Sequence, residues 1–473
     1  MDMQNAEIRQ TLTVGYPVAL WRDELREMIR LAAPIVLTQL SWVAMMTTDM
    51  AMIGRLGADP LAGASLALMV FFLGYVSCIG VTMATAGLAA QAYGARKPRT
   101  LRRVIRQGLW ITILLTLPGV AVFSQTGDIL RLLGQPPEAL HHADAYMSTL
   151  MWALPPTIAF AVLRNFVSAL NRPAVALWVM MAGVPLNAVL DYGLIFGNLG
   201  MPQLDLAGAG IATAAVNVGM FLSLLAIAVT RKPFARYMIL ARFWRPDWYQ
   251  FRQIFRIGLP IACMMLLESG FFIGAVFVAG QFGTTVIAAH MIAMQLPHIT
   301  FMVPMGLAQA ATVRVGQAVG RRDTIGAYRA GWTALAVTVA FMTAMMVTVL
   351  AIPENFAAMF LDLGRADSAA VMGLATTFLF YAAFFQMADG MQAVAAGALR
   401  GLNDTAVPML LAVVSYWAVG LGVGISLAYL AGLEGAGLWL GFDSALICAA
   451  LLLTCRLRRL ARRRYLPAMA PAG

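Results

Sequence analysis

The chain has 473 residues, of which 61% are hydrophobic and only 12% charged, and its formal net charge is +11. An ordinary soluble domain is about 25% charged, and a soluble fold of this length could not bury so much apolar surface. The arithmetic excludes a soluble enzyme, a disordered chain and a nucleic-acid module, and it leaves a polytopic, all-α membrane protein.

Residues 1–30 are polar and mixed in charge, unlike a cleaved signal peptide. A helix that crosses a bilayer needs about 20 mainly apolar residues. That ruler predicts twelve spans, at 31–54, 61–87, 107–125, 145–168, 174–197, 207–229, 254–280, 286–312, 331–353, 372–398, 407–429 and 435–455. Pro155 and Pro156 interrupt the fourth, which membrane helices tolerate when neighbours satisfy the freed carbonyls. The expected organisation is an N-terminal segment 1–30, a six-helix bundle 31–229, a linker 230–253, a second bundle 254–455 and a basic tail 456–473. Cys78, Cys263, Cys448 and Cys455 show neither metal-ligand nor disulfide-framework spacing.

Basic residues set the expected orientation. With the N-terminus inside, every Lys and Arg except Arg55, Arg131 and Arg365 falls in a terminal segment or an even-numbered connection, or at the helix ends flanking one. So lopsided a distribution predicts both termini in the cytoplasm and an inner-membrane location. The tail from Arg456 to Arg464 fits a topology anchor that also touches anionic membrane lipids.

The chain resembles itself at an offset of 226. Pro34 matches Pro260, Gly80 matches Gly306, and Gln91-Ala-Tyr-Gly94 matches Gln317-Ala-Val-Gly320. Asn171-Arg-Pro-Ala-Val pairs more weakly with Asn403-Asp-Thr-Ala-Val at offset 232. Each half has an even number of spans, so the two bundles enter from the same side and a pseudo-twofold axis along the membrane normal relates them. Two like bundles facing one another leave a cleft, the ground plan of alternating access.

Carboxylates within the spans are costly, nominally about 2.5–3.5 kcal/mol each. They are Asp49, Asp191, Glu268, Asp389 and Asp443, with no Lys or Arg deep in the apolar stretches. Asp443 is read as a helix-end residue near the outer boundary of the last span. The others invite a proton or a metal cation. Asn187 and Asp191 are four apart and share a helix face, and amide and carboxylate oxygens together suit a hard cation such as sodium. Under the repeat register Glu268 matches Trp42 and Asp49 matches Ala275, so the halves share a scaffold but not the depth of the first acid.

Trp42, Phe271, Phe272, Phe384 and Phe385 lie within a few turns of these acids and are candidate cleft residues for flat cations. The 31 methionines suit either ordinary packing or an adaptable cavity wall. His290 and His298 read as packing residues. No Walker lysine follows a glycine-rich loop, so no ATP-driven step and no bound cofactor are expected.

Ala33-Pro34 through Asp49 and Gly54, the segment Pro304-Met-Gly-Leu-Ala-Gln-Ala-Ala-Thr-Val-Arg-Val-Gly-Gln, and Ala395-Ala-Gly-Ala-Leu-Arg-Gly-Leu-Asn-Asp-Thr resemble the multidrug and toxic compound extrusion (MATE) transporters. The bacterial NorM-like branch is the nearest in pattern, and the resemblance runs from about Arg30 to the end of the twelfth span. It implies export of amphipathic, often cationic drugs or dyes, coupled to sodium or protons, by a chain expected to act as a monomer. The family's first-, seventh- and tenth-span acids fall on Asp49, Glu268 and Asp389. A fifth-span cation site falls on Asn187 and Asp191, and its sixth-span threonine on Thr213. These residues, Thr213 apart, are the possible sodium ligands. Many NorM-like members lack an acid at the position of Asp191. Both halves carry cation ligands, and the choice between them stays open. The alternative is a lipid-linked precursor flippase of the same superfamily, whose cleft would carry several basic residues for a diphosphate.

Overall fold

The computed structural model describes residues 18–359 and 368–462; Arg9, Arg365, Arg463 and Arg464 lie outside the described residues. Among the described residues twelve helices are long and apolar enough to cross a membrane. In chain order they are α1 (Ala19–Leu56), α2 (Ala58–Gly94), α3 (Pro98–Phe123), α4 (Ala139–Ala169), α5 (Ala174–Phe196) and α6 (Asp205–Thr230). The second half holds α7 (Trp248–Gly280), α8 (Thr284–Arg321), α9 (Thr324–Ala351), α10 (Ala369–Gly401), α11 (Ala406–Leu430) and α12 (Glu434–Ala461).

Most helices overrun the predicted spans. A hydropathy ruler measures only the apolar stretch, whereas backbone hydrogen bonding carries a helix on past the hydrocarbon. α1 already begins within the expected N-terminal segment, where Glu24 takes two bonds from the Arg314 guanidinium of α8, at 2.9 and 2.8 Å. α3 starts at Pro98 and α7 at Trp248, which shortens the expected linker. The Asp247 carboxylate caps α7 by accepting from the Gln250 amide (3.2 Å), and Asp323 caps α9 through the Gly326 amide (2.7 Å).

Two spans are irregular for local reasons. α4 is made of the greater part of a helix Pro137–Leu150, then a 3₁₀ turn Met151–Ala153 and a helix Leu154–Ala169. Pro155 and Pro156 open the last piece, where a missing amide costs no intrahelical bond. α11 contains two π-helical stretches, Val414–Gly420 and Ser426–Leu430.

Apolar packing defines two bundles that join at one end. One buried cluster draws only on residues between Ile53 and Ala209, and another only on residues between Phe271 and Ala449. A third and larger cluster joins both halves, through Met28–Ile35, Leu101–Leu109, Ile254–Ala262, Leu307–Val319 and Leu453–Leu460 among others. These stretches lie at the ends of the helices next to the basic connections. At the opposite ends the described residues form two separate buried cores.

The repeated Gln-Ala-x-Gly motifs form a reciprocal clasp at the joined end. Gln91 of α2 donates to the Gly401 carbonyl (2.8 Å) and accepts from Asn403 (2.9 Å). Its counterpart Gln317 of α8 donates to the Ala169 carbonyl (3.0 Å) and to Asn171 Oδ1 (2.9 Å). Asn171 and Asn403 share a φ of 58°, a left-handed turn that asparagine tolerates. Gly94 and Gly320 let the backbones of α2 and α8 touch. A Cβ on Gly94 would stand 2.1 Å from the Gln317 carbonyl oxygen, and one on Gly320 2.1 Å from that of Gln91.

This contact makes a prediction. Gly94→Ala and Gly320→Ala should each lower stability by about 1–3 kcal/mol through overpacking, read as thermal unfolding of the purified protein in detergent. Gly274→Ala, where an added Cβ meets nothing within 4 Å, should unfold like the wild type. Wild-type unfolding in both clasp variants would contradict the close approach.

Candidate cation and substrate centres

Each half of the molecule gathers a pair of carboxylates around a single amide group; Asp49, Asp191 and Asp389 are buried and Glu268 is half-buried. In the first half Asp49 comes from α1, Asn187 and Asp191 from α5, and Thr213 from α6. The i, i+4 spacing on α5 turns Asn187 and Asp191 to the same side, where α1 presents Asp49. The Asn187 amide nitrogen donates one hydrogen to Asp49 Oδ1 and the other to Asp191 Oδ2, the latter at 2.6 Å. Thr213 Oγ1 lies 3.2 Å from Asp49 Oδ2 and 3.0 Å from the Ala209 carbonyl oxygen. Asn217, which the sequence reading did not single out, donates to the Thr213 carbonyl (2.8 Å) and braces that turn of α6. All five side chains are buried.

In the second half Glu268 comes from α7 and Asp389 from α10. Gln392, one turn beyond Asp389, supplies the bridging amide: its nitrogen donates to Glu268 Oε1 (2.8 Å) and to Asp389 Oδ1 (3.2 Å). Tyr416 of α11 closes the centre from a π-helical stretch. Its hydroxyl lies 3.2 Å from Glu268 Oε1 and 3.0 Å from Gln392 Oε1. Sequence reasoning missed Gln392 and Tyr416. The i, i+3 spacing from Asp389 was the available signal for Gln392, but nothing local marks Tyr416, which is brought in by tertiary packing.

The chemistry of the two centres follows from their hydrogens. A neutral amide has two to give and each pair takes both. No ion pair reaches any of the four carboxylates among the described residues. In the first centre Asn187 Oδ1 and Asp191 Oδ1 are buried acceptors without a hydrogen-bond partner. Carboxylate, amide and hydroxyl oxygens in that arrangement fit a proton or a hard monovalent cation. In the second centre the Tyr416 hydroxyl has one hydrogen for two acceptors. A proton on Glu268 would let Glu268 donate to Tyr416 and Tyr416 to Gln392, satisfying both contacts.

Other expected residues fall differently. Asp443 is not at a helix boundary; it is buried well inside α12, hydrogen-bonded to neither pair, with Oδ1 unpartnered. Phe271 and Phe385 are each only 2% exposed and do not line an open surface. Phe271 stacks on Tyr416 at 5.6 Å, and Phe385 packs edge-on against Trp439 at 5.9 Å. Phe272, Trp42 and Phe384 keep exposed surface; Trp42 stacks on Tyr75 at 6.0 Å, and Phe384 lies against Phe380. Neighbouring residues on a helix face about 100° apart, so Phe271–Phe272 and Phe384–Phe385 divide between core and surface. His290 is buried against Trp439 and Phe442, a packing residue.

Arg164 stands near the end of α4, five residues before Ala169, and donates to Gln39 of α1 (3.0 Å). Gln39 in turn contacts Met305 of α8, which places this guanidinium where the two halves meet. Arg400, at the end of α10, faces Met83 of α2 across the same junction.

Known proteins share this architecture. The MatE family model matches residues 34–193 and 260–428. A protein of Mesorhizobium japonicum named "Probable multidrug resistance protein NorM" is 44% identical over 446 residues, covering 94% of this chain and 96% of its own. One of the same name from Bradyrhizobium diazoefficiens is 44% identical over 95% of this chain and 96% of its own. The fold is similar to the crystal structure of the eukaryotic MATE transporter AtDTX14, with a TM-score of 0.83 at 20% identity over 95% of this chain and all of that one. It is also similar to an outward-facing MATE family transporter of the MOP superfamily, with a TM-score of 0.84 at 20% identity over 93% and 96% of the two chains. A multi-pass membrane protein with this repeat, this fold and these near-full-length relatives belongs to the MATE family of transporters, here in its bacterial NorM-like branch.

Proposed function

We propose that this chain is a secondary active multidrug exporter of the cell's inner membrane. It expels amphipathic, mainly cationic compounds in exchange for sodium or protons by alternating access. The observation that supports this reading is the pair of amide-bridged dicarboxylates, largely withdrawn from water and in no ion pair among the described residues. A lasting charge in such surroundings is costly, so each pair needs a proton, a metal ion or a cationic drug. These three compete for the same oxygens, and that competition is the antiport. Reciprocity then requires that drug binding oppose coupling-ion binding by the same factor.

The steps follow from the packing. The halves are joined at the end bearing the basic connections, which the positive-inside rule assigns to the cytoplasm. A coupling ion from outside neutralises a pair, and the drug loses its electrostatic partner and leaves. The neutralised surfaces can then dehydrate and close against each other while the clasp at the joined end opens. The flippase alternative is disfavoured because both polar centres are acidic, while Arg164 and Arg400 sit at the closed junction.

The acids give the first test. Glu268→Gln, Asp389→Asn, Asp49→Asn and Asp191→Asn keep shape and hydrogen-bonding capacity without the charge. In the half that carries coupling, each should lose gradient-driven dye efflux by about ten-fold or more, equivalent to about 1.4 kcal/mol. Asp443→Asn should change little. The assay is initial efflux from proteoliposomes, normalised to protein amount, under separately imposed sodium and proton gradients. Wild-type coupled efflux in all four variants would remove the carboxylates from the mechanism.

Orientation is tested by labelling. Single cysteines near Lys97 and Lys232 should be shielded from an impermeant thiol reagent in intact cells, and one near Asp205 should react. All three positions are exposed in the fold, so labelling at Lys97 and Lys232 from outside would reverse the assignment.

Substrate charge is tested by competition. Between a cationic and an anionic compound of equal lipophilicity, the cation should be exported preferentially. Preference for the anion would overturn the electrostatic reading.

A further inference from the structure

A cavity runs along α5 and α6 of the first bundle, and the residues of neither carboxylate centre line it. It is a groove of about 660 Å³ between α5 and α6, extending to the start of the connection after α6. Its walls are apolar and include Trp178, Leu186, Val216 and Ile227. Trp178 is 67% exposed and Leu186 49% exposed, so the groove opens sideways. Its floor contains Gly219, where an added Cβ would meet nothing within 4 Å. At one end stand three cations, Arg172, Arg231 and Lys232, and no acid lines the groove. Glu27 lies in a cleft of about 230 Å³ that shares Arg172 with the groove and that Arg30 also lines.

Length and polarity decide the occupant. From Val175 to Leu186 the apolar wall follows α5 for roughly 16 Å at 1.5 Å per residue. That is close to one leaflet's share of a hydrocarbon core about 30 Å thick. An apolar slot one leaflet deep with cations at the headgroup level matches a phospholipid with an anionic headgroup, the chemistry that basic pockets between membrane helices select. The same three cations disfavour the cationic compounds proposed as transport substrates. The geometry points to a resident anionic phospholipid here: one acyl chain lies between α5 and α6, and the phosphate lies against Arg172, Arg231 and Lys232. The two helices also carry Asn187, Asp191 and Thr213, so the lipid would wedge the elements that hold the first carboxylate pair. The assignment rests on the membrane fold and not on which side is cytoplasmic.

The test uses proteoliposomes containing phosphatidylglycerol with a photoactivatable acyl chain, or phosphatidylcholine with the same chain. Adducts are mapped by peptide mass spectrometry. Phosphatidylglycerol should label α5 and α6 around Trp178 and Leu186 several-fold more than phosphatidylcholine. The double substitution Arg231→Gln with Lys232→Gln should lower that labelling several-fold, to about the phosphatidylcholine level. Gly219→Leu should fill the groove and remove labelling by both lipids. The charge variants leave the helix contact untouched, so they decide the matter even if Gly219→Leu fails to assemble. Equal labelling by the two lipids, or phosphatidylglycerol labelling that survives the charge substitutions, would overturn the proposal. So would displacement of the lipid by a soluble cationic dye at transport concentrations, which would make the groove a drug site.

Discussion

Two carboxylates bridged by one amide and largely withdrawn from water are the constraint around which this protein is built. An ionised pair a few ångströms apart in a low-dielectric interior repels itself and forfeits hydration, and a neutral amide returns only part of that loss. The arrangement is tolerable when one positive charge joins it, and it then discriminates sharply between having and lacking that charge. The molecule contains this solution twice, and the two are not related by the internal repeat. In the first half the amide and one acid come from α5. In the second they come from α10, the counterpart of α4. The same chemistry has been placed on different helices of one scaffold.

The scaffold itself is symmetric where it has to hold together. Gln91 and Gln317, Asn171 and Asn403, and Gly94 and Gly320 make matching contacts across the pseudo-twofold axis. These are neutral hydrogen bonds and backbone approaches, each of modest net strength, about 0.5–1.5 kcal/mol per bond. A junction made of such contacts is firm as a set but divisible, whereas buried ion pairs would cost several kcal/mol to break. Ion pairs add to these contacts: the bidentate Arg314–Glu24 pair ties the start of α1 to α8, and Arg103 of α3 reaches Asp247 at the start of α7 (3.4 Å).

Much of this was legible in the sequence. Span number, the basic side, the repeat and the interior acids depend on quantities that local sequence carries: apolar run length, charge distribution and residue type at fixed offset. Asn187 and Asp191 could be paired because i and i+4 meet on any helix. Hydropathy alone could not fix where helices end, since a helix continues wherever its backbone bonds are satisfied. Asp443, expected at a boundary, is buried.

What only the tertiary structure decided is which side chains meet. That Asp49 joins Asn187 depends on how α1 crosses α5, and that Tyr416 joins Glu268 depends on a π-helical stretch of α11 that no local pattern announces. Phe271 and Phe385 turned inward while Phe384 stayed at the surface, because helix rotation is set by packing against neighbours and not by composition. The sequence determined that uncompensated acids lie in the membrane. Their gathering into two pairs, each around a single amide, came from contacts between helices far apart in the chain, which one-dimensional periodicity does not encode.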